Sequence, residues 1–514
     1  MTSTLRRSVS IIAFAVLGSS VGGCPNDVTP GDASDVSRSD ASDGSDGSFD
    51  GPDPDASELD AGDVPRVSTC SELRLEGLSA SPGTTATAYP GSVLALTGIG
   101  LTPVSRVVIG GIEMPFARAS DTSITTSVPA MLATGERTVI VQTDRCSSAR
   151  TIVISRLVAA VRANASDAQL FDAQSLSSLG TAPLGSTDVA QAQFTLDGAS
   201  LVARDSSGTV RRTQIGTARV DEISPASSGP FVMAQGNVQP TRALLVVPGR
   251  VPPGVLSYDS FTGATAPYAA PAADPLSLAL SLDGFRGLVL DHDGTVYRGE
   301  LVFAPSATWT RITASGPIAG ATSVILSAAM NTLAEHLGAV FIGGSTPSLV
   351  PVNVFSGETG AAVALPAGAS RPRFLSGDVV VMDTVTPEVT ACDITALEAV
   401  MWHVPLEGEP GGPEVATRTA LSLYSLAAVV LSAGSDGVAR GHTIHFVDFQ
   451  VEPPVERSRA DIADVRGLVG MQGAGNPFVV WTGSGLVRVL GETPDVAHQV
   501  MAALPGVTSV AVQP

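Results

Sequence analysis

Thr195-Leu-Asp-Gly-Ala-Ser-Leu-Val-Ala-Arg-Asp-Ser-Ser-Gly-Thr-Val-Arg-Arg212 aligns without a gap on Ser281-Leu-Asp-Gly-Phe-Arg-Gly-Leu-Val-Leu-Asp-His-Asp-Gly-Thr-Val-Tyr-Arg298, at an offset of 86 residues. Each copy places a short apolar run between two turns that contain glycine. That pattern reads as a strand, an Asp-Gly hairpin, a strand, a second glycine turn and a third strand. A second class of turn, at Phe171-Asp172 and Tyr258-Asp259, recurs at an offset of 87.

If each offset covers two units, one unit is about 43 residues, the size of a four-stranded propeller blade. Fainter copies appear at Asp436-Gly437-Val438 and at Gly483-Ser484-Gly485-Leu486-Val487-Arg488. The span 156–514 therefore accommodates seven or eight blades. The chain ends on a lone strand, Val507-Thr-Ser-Val-Ala-Val-Gln-Pro514. Leu157 to Leu176 supplies strands that lack an inner partner. Pairing the two would complete one blade, close the ring and remove its exposed edges.

This region resembles lactonase-like, YVTN-type or quinoprotein-like propellers in its S-x-D-G and D-x-x-T/S-x-G turns. The resemblance is to an architecture, and the Trp-Asp and Gly-Gly signatures of better-defined repeats are missing. A stack of further β-sandwiches is the competing architecture.

Upstream, from Leu73 to Ile154, short strands again alternate with turns. The order is Ser81-Pro82-Gly83, then Ser92-Val93-Leu94-Ala95-Leu96-Thr97-Gly98-Ile99-Gly100-Leu101, then Val107-Val108-Ile109-Gly110-Gly111. Ser120-Asp121-Thr122-Ser123-Ile124, Val128-Pro129 and Val139-Ile140-Val141 follow. As a set these motifs resemble an IPT/TIG domain, with Pro90-Gly91-Ser92 replacing the usual Gly-Gly-Thr. The resemblance implies an immunoglobulin-like β-sandwich used for spacing or protein interaction. Cys70 and Cys146 flank this unit, and a Cys70–Cys146 disulfide is expected in an exported chain.

The N-terminus carries the export signal. Arg6 and Arg7 precede an apolar run from Val9 to Leu17, which is too short to span a bilayer but fits a signal peptide. It ends Val21-Gly22-Gly23-Cys24, which resembles the lipobox of bacterial lipoproteins. The resemblance implies that Cys24 becomes the lipid-carrying first residue. Residues 25–66 hold twelve acidic residues against Arg38 and Arg66, a net charge of −10 (2 − 12). So little apolar surface cannot offset the entropy of ordering, and this segment is expected to be a disordered, extended tether. Its aspartates lack the spacing and closing Glu of a calcium loop.

The expected organisation is all-β: signal peptide 1–23, tether 24–68, sandwich 69–155 and propeller 156–514. Hydrophobic residues make up 44% of the 514-residue chain, enough for folded cores, while charged residues make up only 15%. The net charge of −20, with no lysine, argues against a nucleic-acid partner. It also argues against electrostatic docking on anionic lipid, so membrane attachment must come from an anchor.

Little in the chain suggests chemistry. His442 and His445 are three apart on an expected strand and should face opposite sides, which is poor for a metal site. Asp291-His292-Asp293-Gly294 occupies a hairpin tip equivalent to Asp205-Ser206-Ser207-Gly208. Cys392 reads as a buried small hydrophobe. No phosphate loop, G-x-S-x-G elbow or paired-cysteine motif occurs. No catalytic, cofactor or metal residue is nominated, and none of His292, His336, His403 or His498 stands out. The expectation is a monomeric outer-membrane lipoprotein that presents a propeller to an envelope protein or glycan without catalysis. The alternative is a lactonase-like hydrolase working in the propeller channel.

Overall fold

The repeated turns adopt one geometry. In the computed structural model the Thr195 hydroxyl donates to Asp197 Oδ1 at 2.5 Å, and the Ala199 N–H donates to the same oxygen at 3.0 Å. At the second copy the Ser281 hydroxyl and the Phe285 N–H make the same pair of bonds to Asp283 Oδ1, at 2.5 and 2.9 Å. Gly198 and Gly284 sit at φ 68° and 76°, so each turn needs a residue without a Cβ penalty. The next hairpins also match, with Asp205 and Asp291 donating their N–H to the carbonyls of Thr209 and Thr295. Asp291-His292-Asp293-Gly294 is thus a hairpin tip.

The structure describes residues 72–513 apart from 130–131, 225–227, 237–238, 240, 261, 305–306, 313–315, 328–336, 376–377, 386–387, 398–399, 407–416, 422–425, 432–440, 450, 452, 472–476 and 492–498. The side chains of 396, 417–421, 426–431 and 441–443 also lie outside the description. The tether, Cys24, Cys70, His336, His498 and the faint repeat at Asp436 all fall outside it.

Seven sheets make a β-propeller. Among the described residues six have four strands and the last has seven. In that last sheet the 16-residue strand Val455–Gly470 pairs with Gly441–Asp448 along its first half and with Pro477–Thr482 along its second. Val465 pairs with both sides, beside Asp464 at φ 54°. One strand therefore serves both halves of this sheet, and of the seven or eight blades expected the structure forms seven.

The ring closes as expected. Val507–Val512 joins Leu157–Arg162, Asp167–Asp172 and Ser178–Pro183 to make one four-stranded sheet. It also touches Val189–Phe194, the leading strand of the next sheet. Val232–Gln235, Pro275–Leu280, Ala321–Leu326 and Ser370–Phe374 touch one another in turn, as the inner strands of a ring do. Apolar side chains fill the spaces between adjoining sheets. One such core joins Val158, Ala160 and Val510 to Val479 and Leu486.

Residues 74–154 form a separate eight-stranded lobe with its own core, in which Leu94, Leu96, Val107, Ile109, Ile124, Val139, Val141 and Ile152 are buried. The alternation read from Ser92 to Leu101 holds, with Leu94 and Leu96 inward and fully buried. Cys146 packs against this core, while Cys70 lies outside the described residues.

Asp205 provides a test of these turns. Burial pushes its carboxyl up, but bonds from the Ser207 hydroxyl, the Arg211 guanidinium and the Thr209 N–H prevail and hold it down at about 2. A depressed folded-state value means the stabilisation is complete above the usual carboxylate range and is lost as pH falls toward 2. Asp205→Asn is expected to remove that loss, so melting temperatures measured between about pH 4 and pH 2 should fall less steeply in the variant. Parallel slopes would show that Asp205 is not a source of the acid limb.

Candidate functional site

Three places bear on function: the ring centre, one exposed end of a blade and a cleft on the rim. The six inner strands named above carry neutral side chains except for two arginines. Their sequences are Val-Ala-Gln-Ala-Gln-Phe, Val-Met-Ala-Gln, Pro-Leu-Ser-Leu-Ala-Leu, Ala-Thr-Ser-Val-Ile-Leu, Ser-Arg-Pro-Arg-Phe and Val-Thr-Ser-Val-Ala-Val. Both arginines are engaged by one carboxylate. Arg371 and Arg373 approach Asp383 at 3.1 and 3.2 Å. Gln191 spends its amide on the Phe231 backbone, accepting at 3.1 Å and donating at 3.0 Å. The arginines are thus tied within their own sheet, while Gln191 reaches across to the next.

The second place is the end of the blade built from Pro275–Leu280, Arg286–Asp291, Val296–Glu300 and Thr308–Arg311. Its S-x-D-G turn exposes Leu282 and Phe285 at 41% and 44%, and the adjoining turn exposes Leu301 at 46%. Arg286 pairs with Glu300 across the two strands, which brings Phe285 and Leu301 side by side. The Arg286 guanidinium lies 4.4 Å from the Phe355 ring centroid, extending the patch onto the next blade. The repeat marked this turn, but which copy would carry exposed apolar residues was not marked by any pattern.

The third place is a cleft of about 580 Å³ between Pro405 and Leu406 on one wall and Glu456, Arg457, Ser458 and Arg459 on the other. Behind it His445 is fully buried, its Nδ1 lying 2.9 Å from Glu456 Oε1. Among the described residues its buried Nε2 has no hydrogen-bond partner. Sequence reading passed over His445 because it weighed the residue only as a partner for His442, whose side chain lies outside the description.

The other two described histidines lie apart from it. His292 is exposed, 4.0 Å from Asp274, and His403 lies 3.3 Å from Glu388. Among the described residues no group of three or more His, Cys, Asp or Glu side chains is placed to hold a metal. Cys392 is fully buried, and its thiol is pushed up to about 12 by desolvation and by the nearby Asp393 charge. It is a packing residue in the core between two blades.

No protein-family model matches the sequence, and no curated protein matches it. Among solved structures the chain is similar to the dihydro-heme d1 dehydrogenase NirN, at 12% identity and a TM-score of 0.47, over 69% of this chain and 74% of that one. It is also similar to apo AztD from Citrobacter koseri, at 12% identity and a TM-score of 0.45, over 70% and 98%. A third is an auxiliary nutrient binding protein from Bacteroides thetaiotaomicron, at 10% identity and a TM-score of 0.34, over 79% and 94%. Likeness at this level carries nothing about chemistry.

Proposed function

We propose that this chain is a lipid-anchored cell-envelope protein whose propeller binds a protein or glycan without catalysing a reaction. The observation that carries this reading is the apolar end of one blade, where Leu282, Phe285 and Leu301 stand exposed together. Soluble surfaces scatter large apolar side chains singly, whereas a contiguous group of them marks a contact surface.

In this reading Cys24 carries the lipid, residues 25–66 hold the folded part away from the outer membrane, and the lobe is an immunoglobulin-like sandwich of the IPT/TIG type. A Cys70–Cys146 disulfide would secure that lobe. Intact masses before and after reduction would then differ by two hydrogen atoms, and free thiols at both Cys70 and Cys146 in the purified protein would remove the disulfide from the account.

Two variants test the function. Cys24→Ser is expected to move the protein from the detergent phase to the aqueous phase on Triton X-114 partitioning, because the acyl chains supply the membrane affinity. Phe285→Ser combined with Leu301→Ser is expected to weaken binding to an envelope-protein or glycan array by tenfold or more while leaving the melting temperature unchanged. Hydrolysis of lactone or ester substrates by the parent, with no array ligand found, would overturn the reading.

A further inference from the structure

We infer that the exposed end of the blade spanning residues 275–311 docks the loop end of another protein's β-sandwich. The inference rests on the binding function proposed above and names the kind of partner that site takes.

The chain itself shows what covers a turn of this kind. Ser200 pairs with Gln214 as Arg286 pairs with Glu300, so the offset of 86 carries through the strands. Ala199 is then the counterpart of Phe285, and Ile215 of Leu301. At the first turn the lobe of residues 74–154 is seated on the blade. A Cβ on Gly91 would meet the Ala199 Cα at 2.4 Å, and one on Gly198 would meet the Pro90 Cβ at 3.0 Å. Tyr89 shares a buried core with Ile215, which is 5% exposed. A Tyr-Pro-Gly bend of a strand-built lobe therefore closes the first turn.

The second turn repeats the backbone of the first and differs in what lies on it. Leu301 is 46% exposed where Ile215 is covered, and Phe285 and Leu282 stand open beside it. Equivalent turns of a propeller lie on one face of the ring, so the open turn looks the same way as the covered one. Where the lobe's backbone presses on Ala199, the ring of Phe285 fills the corresponding space. Contact at the open turn is thus between side chains, and the partner's bend needs no close backbone approach.

The charges beside the open turn are matched within it. Arg286 pairs with Glu300 at 2.8 Å, and Asp283 Oδ1 accepts from the Ser281 hydroxyl and the Phe285 N–H. Recognition then falls to apolar contact. Of the two partner classes in the proposed function this favours a protein, because a glycan's hydroxyls lose hydrogen bonds against an apolar surface.

The probe is a fibronectin type III domain, itself a β-sandwich, with Tyr-Pro-Gly-Ser-Val in one interstrand loop. The same domain with Ser-Gly-Ser-Gly-Ser in that loop is the control. Surface plasmon resonance on the full folded chain should show saturable binding of the first and none of the second. Phe285→Ser with Leu301→Ser is expected to weaken binding at least tenfold at an unchanged melting temperature. Phe285→Leu, which keeps the surface apolar, should stay within threefold of the parent. No binding of the grafted domain, or full-strength binding by the double variant, would overturn the inference. So would a dimer of the parent in sedimentation velocity that the double variant abolishes, since the occupant would then be a second copy. An array ligand lost in the double variant, with no binding of the grafted domain, would sink this inference and leave the proposed function standing.

Discussion

Deleting residues 507–514 is expected to abolish cooperative folding of the propeller. Val507–Val512 pairs with the inner edge of Leu157–Arg162, whose first five residues are all fully buried. Without it that edge opens and the N-terminal and C-terminal blades lose their mutual register. Val507 and Val510 are 2% and 8% exposed and join a core with Val158, Phe171 and Leu486. Burying a valine contributes about 1.5–3 kcal/mol, so these two and the lost strand pairing together rival the whole stability of a typical domain, about 5–15 kcal/mol. The opened edge would also invite pairing between molecules. Calorimetry should show a broad, weak transition or precipitation where the parent melts sharply. A truncated chain melting within about 5 °C of the parent would mean that the ring does not depend on its closing strand.

That closure was legible in advance because it rests on a repeat. A terminal strand with no partner and a first unit lacking its inner strand are both visible once a period of about 43 residues is set. The turn at Thr195 and its copy at Ser281 were legible for the same reason, since Ser or Thr, Asp and Gly each have a fixed task in it. The joined seventh sheet was not legible. Nothing in Val455–Gly470 announces that one strand serves two units, because the positive φ at Asp464 falls on a residue that, unlike glycine, does not by itself signal a turn. The rim cleft was hidden too. Leu406 and Glu456 are fifty positions apart and meet only after two sheets pack.

The junction of lobe and ring is the clearest case of what local patterns miss, since it is held by single residues. Tyr89, 1% exposed, donates its hydroxyl to Asp172 Oδ2 at 3.1 Å. Burial pushes the Asp172 carboxyl up, yet bonds from Ser175 and Tyr89 help to leave it below the ordinary carboxylate range. Gln513, 1% exposed, follows the closing strand and donates to the carbonyls of Pro90 and Gly198 at 2.9 and 2.8 Å, while its Oε1 accepts from the Leu157 N–H at 3.0 Å. One glutamine thus joins the lobe, a repeat turn and both strands of the closure. The lobe is a clasp on the seam as well as a module beside it.

Gly91→Val is expected to break that clasp. A Cβ at Gly91 would lie 2.4 Å from the Ala199 Cα, a backbone atom that cannot yield by changing rotamer, and φ is +76°. Gly111→Ala separates the two costs. Gly111 has φ +86° with nothing within 4 Å of its Cβ position, so it bears the backbone strain alone, about 1 kcal/mol. Gly91→Val adds the clash, at about 1–3 kcal/mol for overpacking, and the parting of Tyr89 from Asp172 and of Pro90 from Gln513. At about 1 kcal/mol for each lost hydrogen bond and more for buried partners left unpaired, the sum is about 4 kcal/mol or more. Urea unfolding should show Gly111→Ala close to the parent and Gly91→Val far below it. Limited proteolysis should cut Gly91→Val between residues 150 and 157 first, where the lobe hands over to the ring. Equal losses in the two variants would leave only the shared strain, and the lobe would then be a neighbour of the ring that does nothing to hold it shut.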